Sequence, residues 1–329
     1  MANENNNHAI NWRNEAIAFL ALASIKGVGY WTMRSIYEAG FSYWQLIKDG
    51  TQADFEKVMS VKFAASEDVT WGDFKEDLWT TGVETGKAFG GDGIGLIFAG
   101  QAEFPPALIN IPDGPYWLFV QGDLLNLHTK CVAIVGTRKP TDDGIFLAKY
   151  VVASLANRAY PTVSGLALGI DQVVHEESMR YGIPTVAVLG TGINQNYPRG
   201  SAGIRAEIVH RGGTIITEYL PDQTYSAENF VRRNRLQAAL CDTLIPVEWK
   251  IKSGTAHTVE FAHKYGKKIA NVFLPQTYDR RPELKFAETA YRAVACEVPQ
   301  MTSLLLQFID EDQVVPDDAQ VQLDLLGTS

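Results

Sequence analysis

The chain has few of the residues that would build a metal centre or a disulfide framework. Its 329 residues include three cysteines, Cys131, Cys241 and Cys296, which fall in or beside predicted strands or helices and not at ligand spacing. In a chain with so few cysteines, reduced core thiols are the expectation, and we predict no metal site and no cofactor.

Long apolar runs are also missing. No run approaches the ~20 residues that a transmembrane helix needs, and the start, MANENNNHAINWRNEA, lacks the basic and apolar regions of a signal peptide. We therefore expect a protein of the cytoplasm with no membrane contact.

An excess of positive charge is the third absence. The chain has 38 acidic and 29 basic residues, which gives a net charge of −9. Because phosphate binding needs clustered Lys and Arg, any contact with nucleic acid is expected to be local. With 46% hydrophobic residues, the chain can bury a full core, and its length predicts two domains.

Composition and periodicity divide the chain into five parts. Residues 1–8 are polar and Asn-rich, which predicts disorder. Residues 9–87 have apolar residues at helical spacing and predict a small helical domain. Residues 88–130 are rich in Gly and Pro and predict a connector with one or two strands. Residues 131–295 predict an α/β domain, and residues 296–329 an acidic, irregular tail.

From Cys131 onward, β-branched runs alternate with helical segments. Strands are predicted at CVAIVGT, YPTVSG, PTVAVLGTG, GTIITEYL, DTLIPVEW and KKIANVFL, and helices near 143–159, 170–181, 201–211, 228–240 and 255–265. This alternation predicts a parallel sheet covered by helices on both faces. Ligands of such sheets bind at the carboxyl ends of the strands.

Four Gly-rich loops follow the predicted strand ends and favour phosphate binding at that edge. Turn glycines, hydroxyls and cations can hold a phosphate there, and although one such loop is a weak signal, four on one edge favour a nucleotide or a nucleic-acid backbone. The candidate residues are Gly136, Thr137, Arg138, Lys139, Ser164, Gly165, Gly190, Gly192, Ser253, Gly254 and Thr255.

The stretch NFVRRNRLQAAL (229–240) places Arg232, Arg233 and Arg235 at the start of a predicted helix. Cations there oppose the helix dipole, which prefers anions at that end, and a broken local rule often marks a functional site. The stretch predicts a phosphate clamp, with Phe230 available for base stacking. Solvated arginines around a core Phe are the alternative.

Near the amino end, SIKGVGYWTMRSIYEAG (24–40) has the spacing of a helix, a GVG turn and a second helix. The pattern resembles the helix-hairpin-helix, whose turn amides contact DNA phosphates. Lys26, Gly27 and Gly29 are the candidate contacts. An αα-hairpin that serves only for packing is the alternative.

Together, the runs VAIVGTRKPT, VSGLALGID, AVLGTGINQNYP, TEY, NFVRRNR and SGTAHT resemble the DprA/Smf DNA-processing family in order and spacing. The resemblance covers roughly residues 100–275. It implies a Rossmann-like domain that binds single-stranded DNA, often as a homodimer, and loads a RecA-type recombinase. The family's DNA-contacting positions map onto Gly136, Thr137, Arg138, Ser164, Gly165, Arg232, Arg233, Asn234, Arg235, Ser253 and Gly254.

The wider SLOG superfamily includes the Lonely-guy phosphoribohydrolases, which cleave a base from its ribose with an Arg and a Glu. SGTAHTVE resembles part of their loop and places Glu260 at the glutamate. A carboxylate near the anomeric carbon stabilises an oxocarbenium-like state, and Glu228, Asp171 and His175 are further candidates. As alternatives, Glu260 pairs with Lys264, Asp171 caps its helix, and His175 packs in the core.

The last residues contain a short motif of a different kind. Gln322, Leu323, Asp324, Leu325 and Leu326 resemble the pentapeptide by which bacterial proteins bind the replicative sliding clamp. An acidic, disordered tail is a suitable setting for such a contact.

Two functions follow. The predicted one is an enzyme that grips DNA, with the target base flipped out of a duplex, and hydrolyses an N-glycosidic bond, excising modified bases in antiviral or genome defence. The added carboxylates and the little room after residue 275 for the relatives' winged-helix domain favour it. The alternative is a non-catalytic single-stranded DNA binder that mediates recombination. A free-nucleotide sensor or hydrolase would leave the arginine cluster unexplained.

Overall fold

The computed structural model describes residues 10–59 and 70–311. The predicted disordered start at 1–8 and the clamp-like motif at 322–326 lie outside the described residues. No helix in the two described ranges is both long enough and apolar enough to cross a membrane.

The amino-terminal part is helical, as the apolar spacing predicts. Its helices are α1 (Trp12–Ala23), α2 (Tyr30–Glu38), α3 (Tyr43–Lys48), α4 (Gln52–Met59) and α5 (Trp71–Gly91). Helix α5 begins with a capping box between Thr70 and Asp73. Helices α1 and α5 cross closely at Gly82, where an added Cβ would lie 2.3 Å from the Ile17 carbonyl oxygen. Only glycine therefore fits this crossing.

A nine-stranded sheet runs through the rest of the described chain. Its strands are β1 (Ile94–Phe98), β2 (Trp117–Gly122), β3 (Val132–Val135), β4 (Thr162–Ser164), β5 (Thr185–Val188), β6 (Thr214–Thr217), β7 (Thr243–Pro246), β8 (Lys268–Phe273) and β9 (Val294–Glu297). The order is β1-β2-β6-β5-β4-β3-β7-β8-β9. Strands β3 to β9 pair in parallel, whereas β1 and β2 pair antiparallel at one edge. The predicted connector is therefore part of the main sheet.

Helices connect successive parallel strands. They are α7 (Asp142–Ser154), α8 (Ile170–Arg180), α9 (Ala202–His210), α10 (Ala227–Leu240), α11 (Gly254–Lys264) and α12 (Pro282–Tyr291), and α6 (Pro106–Ile109) precedes β2. Separate buried apolar clusters pack on the sheet. The predicted fold class, a Rossmann-like parallel sheet with helices on both faces behind a helical domain, is confirmed. The strand order reverses between β3 and β7, which is where such sheets bind ligands.

The end of the described chain differs from the predicted irregular tail. Strand β9 pairs with β8, and a further helix, α13 (Thr302–Asp310), packs behind it. Leu305 and Ile309 of α13 are fully buried. The acidic residues after Asp310 dominate the composition of this segment and conceal the helical spacing of its apolar residues.

The helical domain and the sheet share one buried cluster. Phe19 of α1 packs against Trp117 and Phe119 of β2, with ring centroids 4.9 Å and 6.1 Å apart. The cluster continues to Ile215 of β6. The three cysteines are buried free thiols, as the sequence predicts.

Candidate nucleic-acid interface

The Gly-rich loops converge at the carboxyl edge of the sheet. The Thr137 amide after β3 donates to the Glu248 carbonyl after β7 (2.8 Å), and the Ile170 amide at the start of α8 donates to the Thr137 carbonyl (3.1 Å). The Gly192 amide after β5 donates to the Gln223 carbonyl after β6 (2.8 Å). These bonds fix the loops as one surface, and this surface is the candidate site.

Two of the predicted phosphate-binding glycines instead make room for side chains of α10. An added Cβ at Gly165 would lie 2.7 Å from the Arg233 guanidinium carbon. At Gly190 it would lie 2.4 Å from the Phe230 ring. Protein atoms therefore occupy the space beside these glycines.

The hydroxyls of the predicted loops also bind protein groups. Ser164 Oγ donates to the Ile134 carbonyl (2.8 Å), and Ser253 Oγ accepts from the Ala256 amide (3.3 Å) as the amino-terminal cap of α11. Thr255 is buried, whereas Gly254 is exposed. Among Ser164, Ser253, Gly254 and Thr255, Gly254 is therefore the residue exposed to a ligand.

A carboxylate lies at the start of α7, where the helix dipole favours an anion. Glu248 Oε2 accepts from the Thr141 amide (2.9 Å). It also lies so close to Gly144 that a Cβ there would collide with it. Because the Glu248 carboxylate already occupies the amino-terminal end of α7, which favours anions, we do not place a DNA phosphate there.

The arginines expected to form a clamp have separate roles. Arg233 is buried, and its Nη1 donates to the carbonyls of Gly165 (2.7 Å) and Val188, at the ends of β4 and β5. Burial lowers the pKa of Arg233 to about 10. Arg233 therefore holds two strand ends together inside the protein.

Arg235 is buried as well and forms an ion pair. Its Nη2 donates to Glu218 Oε2 (2.7 Å), and its Nε lies 3.2 Å from Asp113 Oδ2. Beside it, Asn234 Nδ2 donates to the Gly254 carbonyl (3.0 Å). The expectation of an open clamp at 233–235 is corrected for a simple reason: this face of α10 packs on the protein, and buried charges need partners.

Arg232 is part-buried between the two domains. Its Nη2 donates to Tyr30 Oη (2.7 Å), and its guanidinium lies 4.5 Å from the Tyr30 ring centroid and 4.3 Å from that of Trp31. The hairpin turn before α2 brings these two aromatic residues to α10. In that turn Lys26 and Gly27 are exposed, and Gly29 caps α2 without a side chain.

An aromatic cluster forms the open part of the edge. Tyr197, from the loop after β5, lies 4.4 Å from Tyr225 and 5.0 Å from Phe230 between ring centroids. Exposed Arg138 places its guanidinium 5.0 Å from the Phe230 centroid, and Lys139 next to it is exposed. We call Arg138, Tyr197, Tyr225 and Phe230 the aromatic edge.

Sequence reasoning identified Arg138 and Phe230 but missed the two tyrosines. Tyr197 lies in INQNYPRG and Tyr225 in LPDQTYS, each in a loop that follows a predicted strand. An aromatic residue in a polar loop at a ligand-binding edge is the signal that could have found them. Tyr225 is 58% exposed.

Two of the predicted catalytic residues are buried. Asp171 Oδ2 accepts from the amides of Gly165 (3.2 Å) and Ala167 (3.4 Å), and burial raises its pKa although Arg233 opposes this. His175 is 0% exposed, with Nδ1 2.7 Å from Thr185 Oγ1, and burial lowers its pKa to about 3. Asp171 therefore orders a loop, and His175 is a neutral core residue.

The two predicted catalytic glutamates are exposed and lie apart. Glu260 is exposed and lies near Tyr291 of α12. The pKa of Tyr291 is raised mainly by the burial of the tyrosine, and the charge of Glu260 adds to this effect. Glu228 lies in the first turn of α10. The four candidates do not form one site. Within the described ranges, no group of three or more His, Cys, Asp and Glu residues could hold a metal ion.

Comparison with known proteins gives the family. A family model described as DNA recombination-mediator protein A matches residues 95–295, which is more than half of the chain. The chain belongs to this family. The predicted resemblance to DprA/Smf proteins is thereby confirmed.

Curated relatives of the DNA recombination-mediator protein A family agree. Protein Smf of Escherichia coli strain K12 is 35% identical over 174 residues, which are 53% of this chain and 46% of the relative. DNA processing protein DprA of Streptococcus pneumoniae is 34% identical over 166 residues, which are 50% of this chain and 58% of the relative. The chain thus spans about half the length of the curated relatives it matches.

Solved structures of DNA processing protein A resemble the fold. The Helicobacter pylori protein, described with a single-stranded DNA binding mode, has a TM-score of 0.57 and 27% identity and covers 65% of this chain and 96% of its own. The Streptococcus pneumoniae X-ray structure has a TM-score of 0.64 and 24% identity, and the match covers 89% of this chain and 97% of the other. The second comparison supports the fold alone.

Family membership overturns the predicted glycosidic hydrolysis. The matching family is one of recombination mediators, and the Streptococcus pneumoniae relative is named a DNA processing protein. The prediction of base excision in antiviral defence is therefore wrong. The alternative prediction, a non-catalytic mediator, agrees better with these findings.

Proposed function

We propose that the protein binds single-stranded DNA along the carboxyl edge of its sheet and passes the strand to a RecA-type recombinase. The aromatic edge is the observation that carries this proposal. Stacking on aromatic rings accepts any base, because every base has a π-face. The Helicobacter pylori relative, described as binding single-stranded DNA, supports the same ligand.

The exposed Lys and Arg residues of this edge form a local group, which suits contact with the phosphates of one DNA strand. Arg138, Lys139, Arg199, Lys250 and Lys252 are exposed in the loops after β3, β5 and β7. The net charge of −9 makes the rest of the surface unfavourable for phosphates. Binding is therefore confined to this edge and is sensitive to salt.

The remaining partners are part of the same proposal. A handover requires contact with the recombinase, and we place the protein in the cytoplasm, as predicted from the sequence. The homodimer and the sliding-clamp contact through 322–326 stay predictions from the sequence.

The first test measures binding of a fluorescently labelled deoxythymidine oligonucleotide by anisotropy over a range of salt. Tyr225→Ala removes a 58% exposed ring, and we expect a loss of roughly 1–3 kcal/mol because one stacked base is lost. Arg138→Ala should lower the slope of log K against log salt by about 0.7, the value for one phosphate of a single strand.

Arg211→Ala is the matched control. Arg211 is exposed and pairs with Glu207 at the end of α9, on the other edge of the sheet. It should bind the oligonucleotide like the unmodified protein. Unchanged affinity and salt slope in both edge variants would reject this surface. The handover is tested separately, by the rate at which a recombinase assembles on strands pre-coated with single-strand binding protein.

A further inference from the structure

A cavity of about 460 Å³ lies between the helical domain and the sheet, beside the aromatic edge. Its volume is within the range of small-molecule sites. Helices α1 and α2, the first turns of α10 and the loop 219–223 line it. The proposed function does not yet use this cavity.

The cavity is lined by both apolar and amide side chains. Leu20, Val28 and Phe89 are apolar lining residues, and Asn194, Gln223 and Asn229 also line it. A side-chain amide carries both donors and an acceptor, which are the groups that pair with the edge of a base.

The wall at α2 offers a flat surface. Trp31 is 60% exposed, although it lies against the Arg232 guanidinium at 4.3 Å. An indole and a guanidinium are the groups on which unstacked bases lie in protein complexes. This wall suits a planar heterocycle.

The rim of the cavity disfavours a phosphate. Asp222 and Glu228, both exposed, line it, and Arg232 is the cation among the lining residues. Glu228 and Phe230 belong to the same first turn of α10, so the cavity and the aromatic edge meet at one helix end. An uncharged base of a strand lying on that edge could enter while its phosphates stay outside.

We propose that this cavity takes one unstacked base of the bound single strand. The inference rests on the proposed function, since the base belongs to the strand held by the aromatic edge. It gives the first turn of α2 a role in holding a base, through Tyr30 and Trp31, in place of the phosphate contact that the sequence predicts for the hairpin turn.

Photocrosslinking tests the position of the base. The full chain is irradiated with a deoxythymidine oligonucleotide in which iododeoxyuridine replaces single positions, and crosslinked residues are mapped by mass spectrometry. We expect crosslinks at Trp31 or Tyr30 in addition to those at Tyr197 and Tyr225. Crosslinks confined to the aromatic edge, with binding intact, would overturn the inference and leave the proposed function standing.

Affinity provides the second readout. Trp31→Ala should weaken binding of the intact oligonucleotide about tenfold, the loss of one stacked base, but should not change the binding of a fully abasic oligonucleotide. Trp31→Phe keeps a ring and should bind nearly normally. An equal loss on both oligonucleotides would show that Trp31 acts on the fold and would reject the base pocket. If the unmodified protein binds no single strand, the proposed function and this inference both fall.

Discussion

At the scale of single residues, neighbouring arginines of α10 differ because their side chains meet different partners. Arg233 binds backbone carbonyls, Arg235 binds Glu218, and Arg232 lies against Tyr30. Each burial is tolerated because an acceptor is present. The cation that remains exposed beside Phe230 is Arg138 of another loop.

His175 gives a prediction at this scale. Its pKa falls from an ordinary 6.5 to about 3 on burial, so between these values the unfolded state binds a proton that the folded state does not. The free energy of unfolding should fall by about 1.4 kcal/mol per unit as pH is lowered through this window. His175→Gln should lessen this slope by that amount, as measured by urea unfolding.

His257→Gln is the control for this measurement, because His257 is exposed on α11 and its ring meets solvent in both states. It should keep the slope of the unmodified protein. The same slope in His175→Gln would mean that the buried imidazole does not govern acid stability.

At the scale of elements, α13 shows how a short helix is stabilised by one buried face. Leu305 and Ile309 are buried, whereas Leu304 is 49% exposed. Arg158 of the loop after α7 holds the end of α13 through Asp310 (2.8 Å). That exposed pair contributes little compared with the burial of two aliphatic side chains.

Leu305→Ala should lower the free energy of unfolding by about 2–5 kcal/mol, because it leaves a cavity beneath α13. Leu304→Ala, one residue earlier on the exposed face, should change it by less than about 0.5 kcal/mol. Urea unfolding of the two variants checks this. Equal effects would contradict the packing of α13 and favour the irregular tail that composition suggests.

At the scale of the whole molecule, one hydroxyl links the two domains. Tyr30 Oη donates to Glu218 Oε2 (2.8 Å) and accepts from Arg232 Nη2 (2.7 Å). Burial, followed by the charge of Glu218, raises the Tyr30 pKa, so the phenol keeps its proton at neutral pH. The bonds join α2 of the helical domain to the loop after β6 and to α10.

Tyr30→Phe removes both bonds, so that Arg232 Nη2 loses this acceptor and Glu218 Oε2 keeps the bond from Arg235 alone. We expect the free energy of unfolding to fall by about 1–3 kcal/mol. We also expect faster hydrogen exchange at the interface of the domains. Tyr181→Phe, an exposed tyrosine at the end of α8, is the control and should change neither quantity. An unaltered Tyr30→Phe protein would show that the hydrogen bonds of Tyr30 do not hold the domains together.

Local sequence patterns are sufficient to predict the strands, the helices between them and the edge that carries the candidate site. Local periodicity encodes these features, and glycines mark the turns after strands β3, β4, β5 and β7. The family could likewise be read from short motifs such as VGTRKPT and NFVRRNR.

Which side chains remain exposed at that edge depends on tertiary packing. Spacing along α10 does not tell which face meets the sheet, so it could not show that Arg233 and Arg235 are buried. The exposed Arg138 comes from the loop after β3. Tyr197 and Tyr225 come from different loops and Phe230 from α10, and the three become neighbours only when β5, β6 and α10 pack. Glu260 has a phosphate-loop sequence before it, yet it lies near enough to Tyr291 for its charge to help raise the pKa of that tyrosine. Contacts between residues distant in sequence fix these positions, and no local pattern records them.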